Sequence, residues 1–148
     1  MSNYAPWWDT TITVFNKYED PQTHVITWYR KVVTQAFWKY VNDTVSVGGT
    51  VLEAKKIVCR IRESSAFLEK YLWLKQTNDS RANFFTLGSG DIIVKGEVSD
   101  VIDEYTAGKR SSDILSKYRA LQGCMEIDTV AINIGAGRCE PHYRAEGN

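Results

Sequence analysis

Apolar and polar positions alternate with a period of two over much of the first forty residues. Residues 11–18 (TITVFNKY) are rich in β-branched and aromatic types, and Ile12, Val14 and Tyr18 share one face. This is a strand signal. Glu19-Asp20-Pro21-Gln22 follows as a turn, with Pro21 excluded from a central strand. Residues 24–33 (HVITWYRKVV) alternate again, with Ile26, Trp28, Arg30 and Val32 on one face. Two such runs around a short turn predict a β-hairpin. Residues 36–41 (AFWKYV) are expected to continue the meander as a further strand. Asn42-Asp43 and Gly48-Gly49 punctuate the next stretch, and residues 57–61 (IVCRI) predict a compact strand.

Residues 62–83 break the rhythm. Phe67, Leu68, Tyr71, Leu72 and Leu74 stripe a short helix with Ser64 or Ser65 as its cap, whereas residues 75–83 (KQTNDSRAN) are polar and rich in turn formers. The segment is read as a long loop excursion from the sheet, a class of segment that often carries function. Residues 84–98 (FFTLGSGDIIVKGEV) predict a hairpin about Gly88-Ser89-Gly90. Residues 111–122 (SSDILSKYRALQ) predict the clearest helix. Ser111 or Ser112 is its cap, Asp113 lies in its first turn, and Leu115, Tyr118 and Leu121 form its buried stripe with Ile114 beside it; Gly123 stands just past its end. Residues 124–134 alternate once more, with Met125, Ile127, Thr129 and Ala131 set against Val130, Ile132 and Ile134. Residues 135–148 read as a C-terminal tail. Six or seven strands joined by short turns, with one or two short helices, predict a mainly β chain: an antiparallel β-barrel or sandwich in a single domain, 1–148, preceded by an N-terminal arm at residues 1–10.

A chain of 148 residues is long enough to bury one core without disulfides or metals. Its 18 basic and 18 acidic side chains are spread over both halves, which argues against a dedicated duplex-DNA binder. MSNYAPWWDT lacks the basic and apolar regions of a secretory leader, and no charge-free apolar run has the length of a membrane span. Cys59, Cys124 and Cys139 are odd in number with no CxxC pair, as expected of reduced, buried thiols. His24 and His142 form no metal-binding motif, and Cys139 with His142 does not close a site across Pro141. No GxSxG elbow is present. Asp100, Asp103 and Glu104 read as a solvated acidic face. Neither Gly88-Ser89-Gly90 nor Gly135-Ala136-Gly137 opens a helix, so both read as turns rather than phosphate cradles. No catalytic residue, metal or cofactor is therefore expected. Trp28 and Trp38, with Arg30, Lys31 and Lys39 nearby, form either a barrel core, the favoured reading, or a stacking platform for single-stranded nucleic acid on an OB-like barrel. Trp7 and Trp8, beside Pro6 and outside any periodic element, are either anchors for a partner or pack back on their own subunit.

Several blocks carry a family likeness. ITVFNKY at 12–18 and TWYRKVV at 27–33 are followed by Phe37-Trp38, Thr86-Leu87, GDIIVKGEV at 90–98 and Pro141-His142-Tyr143. In this order they resemble small structural proteins of tailed phages and prophages of Gram-positive bacteria, encoded between the major capsid and tail-tube genes and labelled minor capsid or head–tail connector. GDIIVKGEV is the most specific block. The resemblance implies a non-enzymatic virion protein that forms a homo-oligomeric ring in the neck. It would act as a head-closure (stopper) protein or its neighbour the tail terminator, or as a tail-tube subunit. Its implied partners are portal or adaptor and tail proteins, with assembly in the host cytoplasm. A closure ring places one loop in its lumen, and residues 62–83 are the candidate. Facing packaged DNA, Lys70, Lys75 and Arg81 would meet phosphate.

Overall fold

The alternation of residues 11–18 is realised as strand β1 (Thr10–Glu19). The computed structural model describes residues 8–134 and 141–148, and the backbone alone for 43–47 and 51–55. Ile12 and Val14 of β1 enter one core, while Phe15, on the opposite face, enters a second.

β2 (Ile26–Val47) is a single strand of 22 residues where two were expected. The expected break is a bulge. Gln35 has φ of 59°, and the register against β1 moves from Ile12↔Val33 to Thr10↔Ala36. One extra residue changes the parity of the strand, so Val33 and Ala36 both serve the same core. Asn42-Asp43 lies inside β2, not at a break. β3 (Thr50–Arg62) extends the predicted 57–61 strand at its N-terminal end and pairs with β2 from Ala36↔Ile61 to Val47↔Thr50. Gly48 and Gly49, at φ of 57° and 84°, close this hairpin in the left-handed conformation that side chains resist.

The remaining strands are β4 (Ile92–Lys95), β5 (Cys124–Asn133) and β6 (His142–Gly147). Together the strands form a closed barrel in the order β1-β2-β3-β6-β5-β4, antiparallel at every pairing. The barrel, not the sandwich, is thus the fold. Residues 142–147 are no tail. Their pattern of buried His142, Tyr143, Ala145 and Gly147 with half-buried Arg144 and Glu146 makes them the strand that joins β3 to β5. The predicted hairpin at 84–98 is also corrected. Only its second half is a strand; Phe85, Thr86 and Leu87 are buried one after another, with no free face, and meet Phe67 through one isolated parallel bridge. The alternation in β5 flips after Ile127. A register shift between Ile127 and Thr129 leaves Thr129 and Ala131 outside and turns Val130 to the core.

Three short helices complete the described chain: α1 (Lys70–Leu74), α2 (Asn78–Asn83) and α3 (Ser111–Arg119). α3 lies on the outside of the barrel. Ile114, Leu115 and Tyr118 cover Phe15, Ile92, Val94 and Cys124, which is why Ile92-Ile93-Val94 is apolar on both faces. Arg110, not Ser111 or Ser112, occupies the cap position, and its N–H donates to the Asp113 carboxylate at 3.2 Å. The helix ends at Arg119, so Leu121 falls in the following turn and is 64% exposed instead of buried.

β1 accompanies β2 only as far as Ala36, and β6 accompanies β3 only from Ile57. Beyond Val41 and Lys56 the two strands pair with each other alone. The result is a two-stranded ribbon that leaves the barrel by six residue steps, about 20 Å.

Candidate interaction surfaces

Residues 62–83 fold back onto the barrel. The expected stripe of α1 is inverted: Trp73 is the buried residue, while Tyr71, Leu72 and Leu74 are exposed. Glu69 stands at the cap position rather than Ser64 or Ser65. Lys70, at the start of α1, reaches both oxygens of Asp91, at 3.1 and 3.0 Å. Asp91 is fully buried and also accepts from Asn16 Nδ2 at 3.0 Å and from the Lys17 N–H at 2.9 Å. Burial pushes the Asp91 carboxyl above the usual range, against the pull of Lys70 and of the Lys17 N–H. Asn16 extends the knot by donating to the Thr86 carbonyl and accepting the Thr86 N–H. These bonds clasp α1, β1 and the segment before β4 together.

The polar stretch at 75–83, expected as turns, contains α2, with Thr77 accepting the Ser80 N–H as its cap. Arg81 is 3% exposed. Its guanidinium lies 3.7 Å from the centroid of the Tyr18 ring and 5.9 Å from those of Tyr29 and Trp73. It donates to the carbonyls of Leu74 and Gln76 and to Asn78 Oδ1 at 2.6 Å. Of the three cations predicted to face phosphate, Lys70 and Arg81 are therefore engaged within the subunit. Lys75 alone is exposed, its Nζ 5.9 Å from the Tyr71 ring centroid.

Trp8 packs back on its own subunit. It is 9% exposed, with the Phe37 ring at 6.2 Å and the His142 ring edge-on at 5.7 Å. Trp7 and Cys139 lie outside the described residues. Half-buried Trp28 packs against the core beneath α3 and donates its Nε1–H to Glu104 at 3.1 Å, and half-buried Trp38 packs against the other core. Nearby, among the described residues, the edge of β2 that faces away from β1 has no strand beside it from Ile26 to Gln35. Its last five residues form one wall of an open groove of about 490 Å³, and residues 62–66 with Phe85 form the other.

Asp100, Asp103 and Glu104 are half-exposed, and each is also tied by hydrogen bonds. Asp100 accepts from the Tyr118 hydroxyl and from Lys117 Nζ, which hold its carboxyl below the usual range. Asp103 accepts the Tyr105 N–H and the Thr106 hydroxyl, and is likewise lowered. Glu104 accepts from Trp28 and from the Ser111 N–H that opens α3. Each carboxylate ties a loop, and none faces another across a cleft. Burial pushes the Cys59 thiol up, and that of Cys124 up to about 11, so both are poor nucleophiles. Among the described residues no cluster of His, Cys, Asp and Glu could hold a metal, and no helix is long and apolar enough to cross a membrane.

Residues 7–148 match the model of a family of unknown function, DUF6751. The chain belongs to that family. No curated protein and no solved structure matches it.

In this DUF6751 chain the ribbon, the Asp91 clasp and the Arg81 cage escape a reading of the sequence. The partners of Arg81 are Tyr18 and Tyr29, more than fifty positions away, and no local spacing marks them. The one local signal for the ribbon is Gly48-Gly49 between two runs of alternating residues.

Proposed function

We propose that this protein is a non-enzymatic structural protein of a tailed-phage virion. In this reading it is a ring subunit in the neck, between portal or adaptor and tail, that closes the head and supports tail attachment. The carrying observation is the ribbon: a closed barrel from which a two-stranded arm of about 20 Å projects. Among the described residues both outer edges of that arm bear backbone donors and acceptors with no strand beside them, which suits a part that reaches a neighbour. The resemblance of the ordered blocks to small head–tail connector proteins supports the same reading. A tail terminator or a tail-tube subunit, each also a ring of repeated copies, is the second reading. The OB-like alternative is the less favoured one: Trp28 and Trp38 are half-buried and pack against the two cores.

The test is the copy number of this protein in purified, intact particles, measured by quantitative mass spectrometry against the major capsid protein. One ring's worth of copies is expected. Hundreds of copies would make it a tube or decoration subunit, and absence from particles would overturn the virion reading.

A further inference from the structure

The barrel wall made by β3 and β6 gathers cations on its outer side. Ile57, Cys59 and Ile61 of β3, with Tyr143 and Ala145 of β6, enter the core. Lys56, Val58 and Arg60, with Arg144 and Glu146, therefore face outward. The register with β2 sets two rows: Phe37, Arg60 and Arg144 in one, Lys39, Val58 and Glu146 in the next. The helices pack elsewhere, α3 over Phe15 and Ile92, α1 and α2 on Tyr18 and Tyr29.

Charge on this wall is not balanced. Arg60 and Arg144 are direct register partners on one face, an arrangement that repels. Glu146 offsets part of it through ion pairs to Lys56 and Arg144, both at 2.5 Å. Lys56 above all, with the charges of Arg144 and Arg60, holds the Glu146 carboxyl below the usual range. Asp128, exposed at the β5 bulge, adds one carboxylate at the margin. Among the described residues Lys39 and Arg60 pair with no carboxylate; Lys39 is exposed, and the Arg60 guanidinium lies 5.4 Å from the Phe37 ring centroid. The chain as a whole has no net charge, so the surplus is local. From Lys56 to Arg60 the wall runs about 13 Å, a length over which one strand of a DNA duplex presents about four phosphates. Guanidinium forks match phosphate oxygens. Phe37, the ring in these rows, packs with Trp8 and Arg60, which favours backbone contact over base stacking.

We propose that Lys39, Lys56, Arg60 and Arg144 on this wall contact the phosphate backbone of double-stranded DNA without regard to sequence. This rests on the ring reading above. It turns this wall, in place of residues 62–83, toward the packaged duplex.

The test is the fluorescence anisotropy of a labelled duplex of about 20 base pairs and mixed sequence, titrated with the full chain from about 20 to about 200 mM salt. Saturable binding is expected, with log K falling against log salt at a slope of about −3, as for three to four phosphates. Arg60→Gln and Lys39→Gln are each expected to weaken binding about tenfold at the lowest salt and to make the slope shallower by about one. Lys75→Gln, at the exposed cation of the excursion, is expected to change neither. A slope near zero overturns the inference, as does a loss with Lys75→Gln equal to that with Arg60→Gln. Tighter binding of one strand of the same length marks base stacking and also overturns it; so does tighter binding of polyglutamate, which marks an acidic protein partner. The particle count separates the two readings. One ring of copies without duplex binding overturns this inference alone. Absence from particles with binding intact overturns the ring reading and leaves the wall a duplex contact.

Discussion

Arg81 has its charge enclosed by three rings and its N–H groups turned to two main-chain carbonyls and one side-chain amide. Replacing it by alanine removes the cation and leaves those carbonyls without a donor. The expected loss is about 2–4 kcal/mol of stability in a urea titration. Lysine is expected to restore less than half, because an ammonium cannot fork between acceptors set this far apart. Asp100 carries a pH dependence whose sign follows from its partners. The Tyr118 hydroxyl and then Lys117 stabilise its ionised form in the folded state, so its carboxyl lies below its ordinary value of 3.8. Such a group adds stability above that value and loses it as the pH falls through the lowered one. Thermal melts from pH 7 down to about pH 3 are expected to show Asp100→Asn falling less steeply than the wild type. Residue types alone offered no catalytic motif. They did not show that Arg81 is structural, since a basic residue in a polar run looks like any solvated cation until Tyr18 and Tyr29 are brought to it.

At the level of elements, legibility followed periodicity. β1 and α3 were readable because their patterns hold a single period for eight residues or more. The strands misread were those that change parity part-way: the bulge at Gln35 made one strand look like two, and the shift after Ile127 inverted the assigned faces of β5. β6 was missed because it has six residues, carries two charges, and ends in a glycine. That glycine is a packing requirement. Gly147 lies between Ile57 and Ile127, and a Cβ there would overlap the Glu126 carbonyl oxygen. Gly147→Ala is expected to cost about 1–3 kcal/mol, read as a lower urea midpoint, by forcing β5 and β6 apart. Hydrogen exchange is expected to quicken in β6 and β5 before it does in β1.

For the molecule as a whole, the barrel and the ribbon divide the work. The barrel holds both cores, α3 and the folded-back excursion, while residues 42–55, among the described residues, pair only with one another. Because Val41 and Lys56 are register partners, an Asn-Gly turn can join them directly. A chain shortened in this way is expected to melt within a few degrees of the wild type, as surface elements outside the core carry little of the stability. On the proposed reading, the shortened chain should fail to join heads to tails in a complementation assay. A large fall in melting temperature instead would show that the ribbon supports its own barrel.

The continuity of β2 has a mechanical side. One strand, bulged at Gln35, runs from the ribbon tip at Val47 to Ile26 at the far end of the barrel, bonded first to β3 and then to β1. Antiparallel bonds lie across the strand direction. A pull on the tip along the strands therefore loads a long row of them in shear, all at once, whereas a sideways pull peels them singly. The arm is strong along its own axis and weak across it, so it is built to carry tension in one direction.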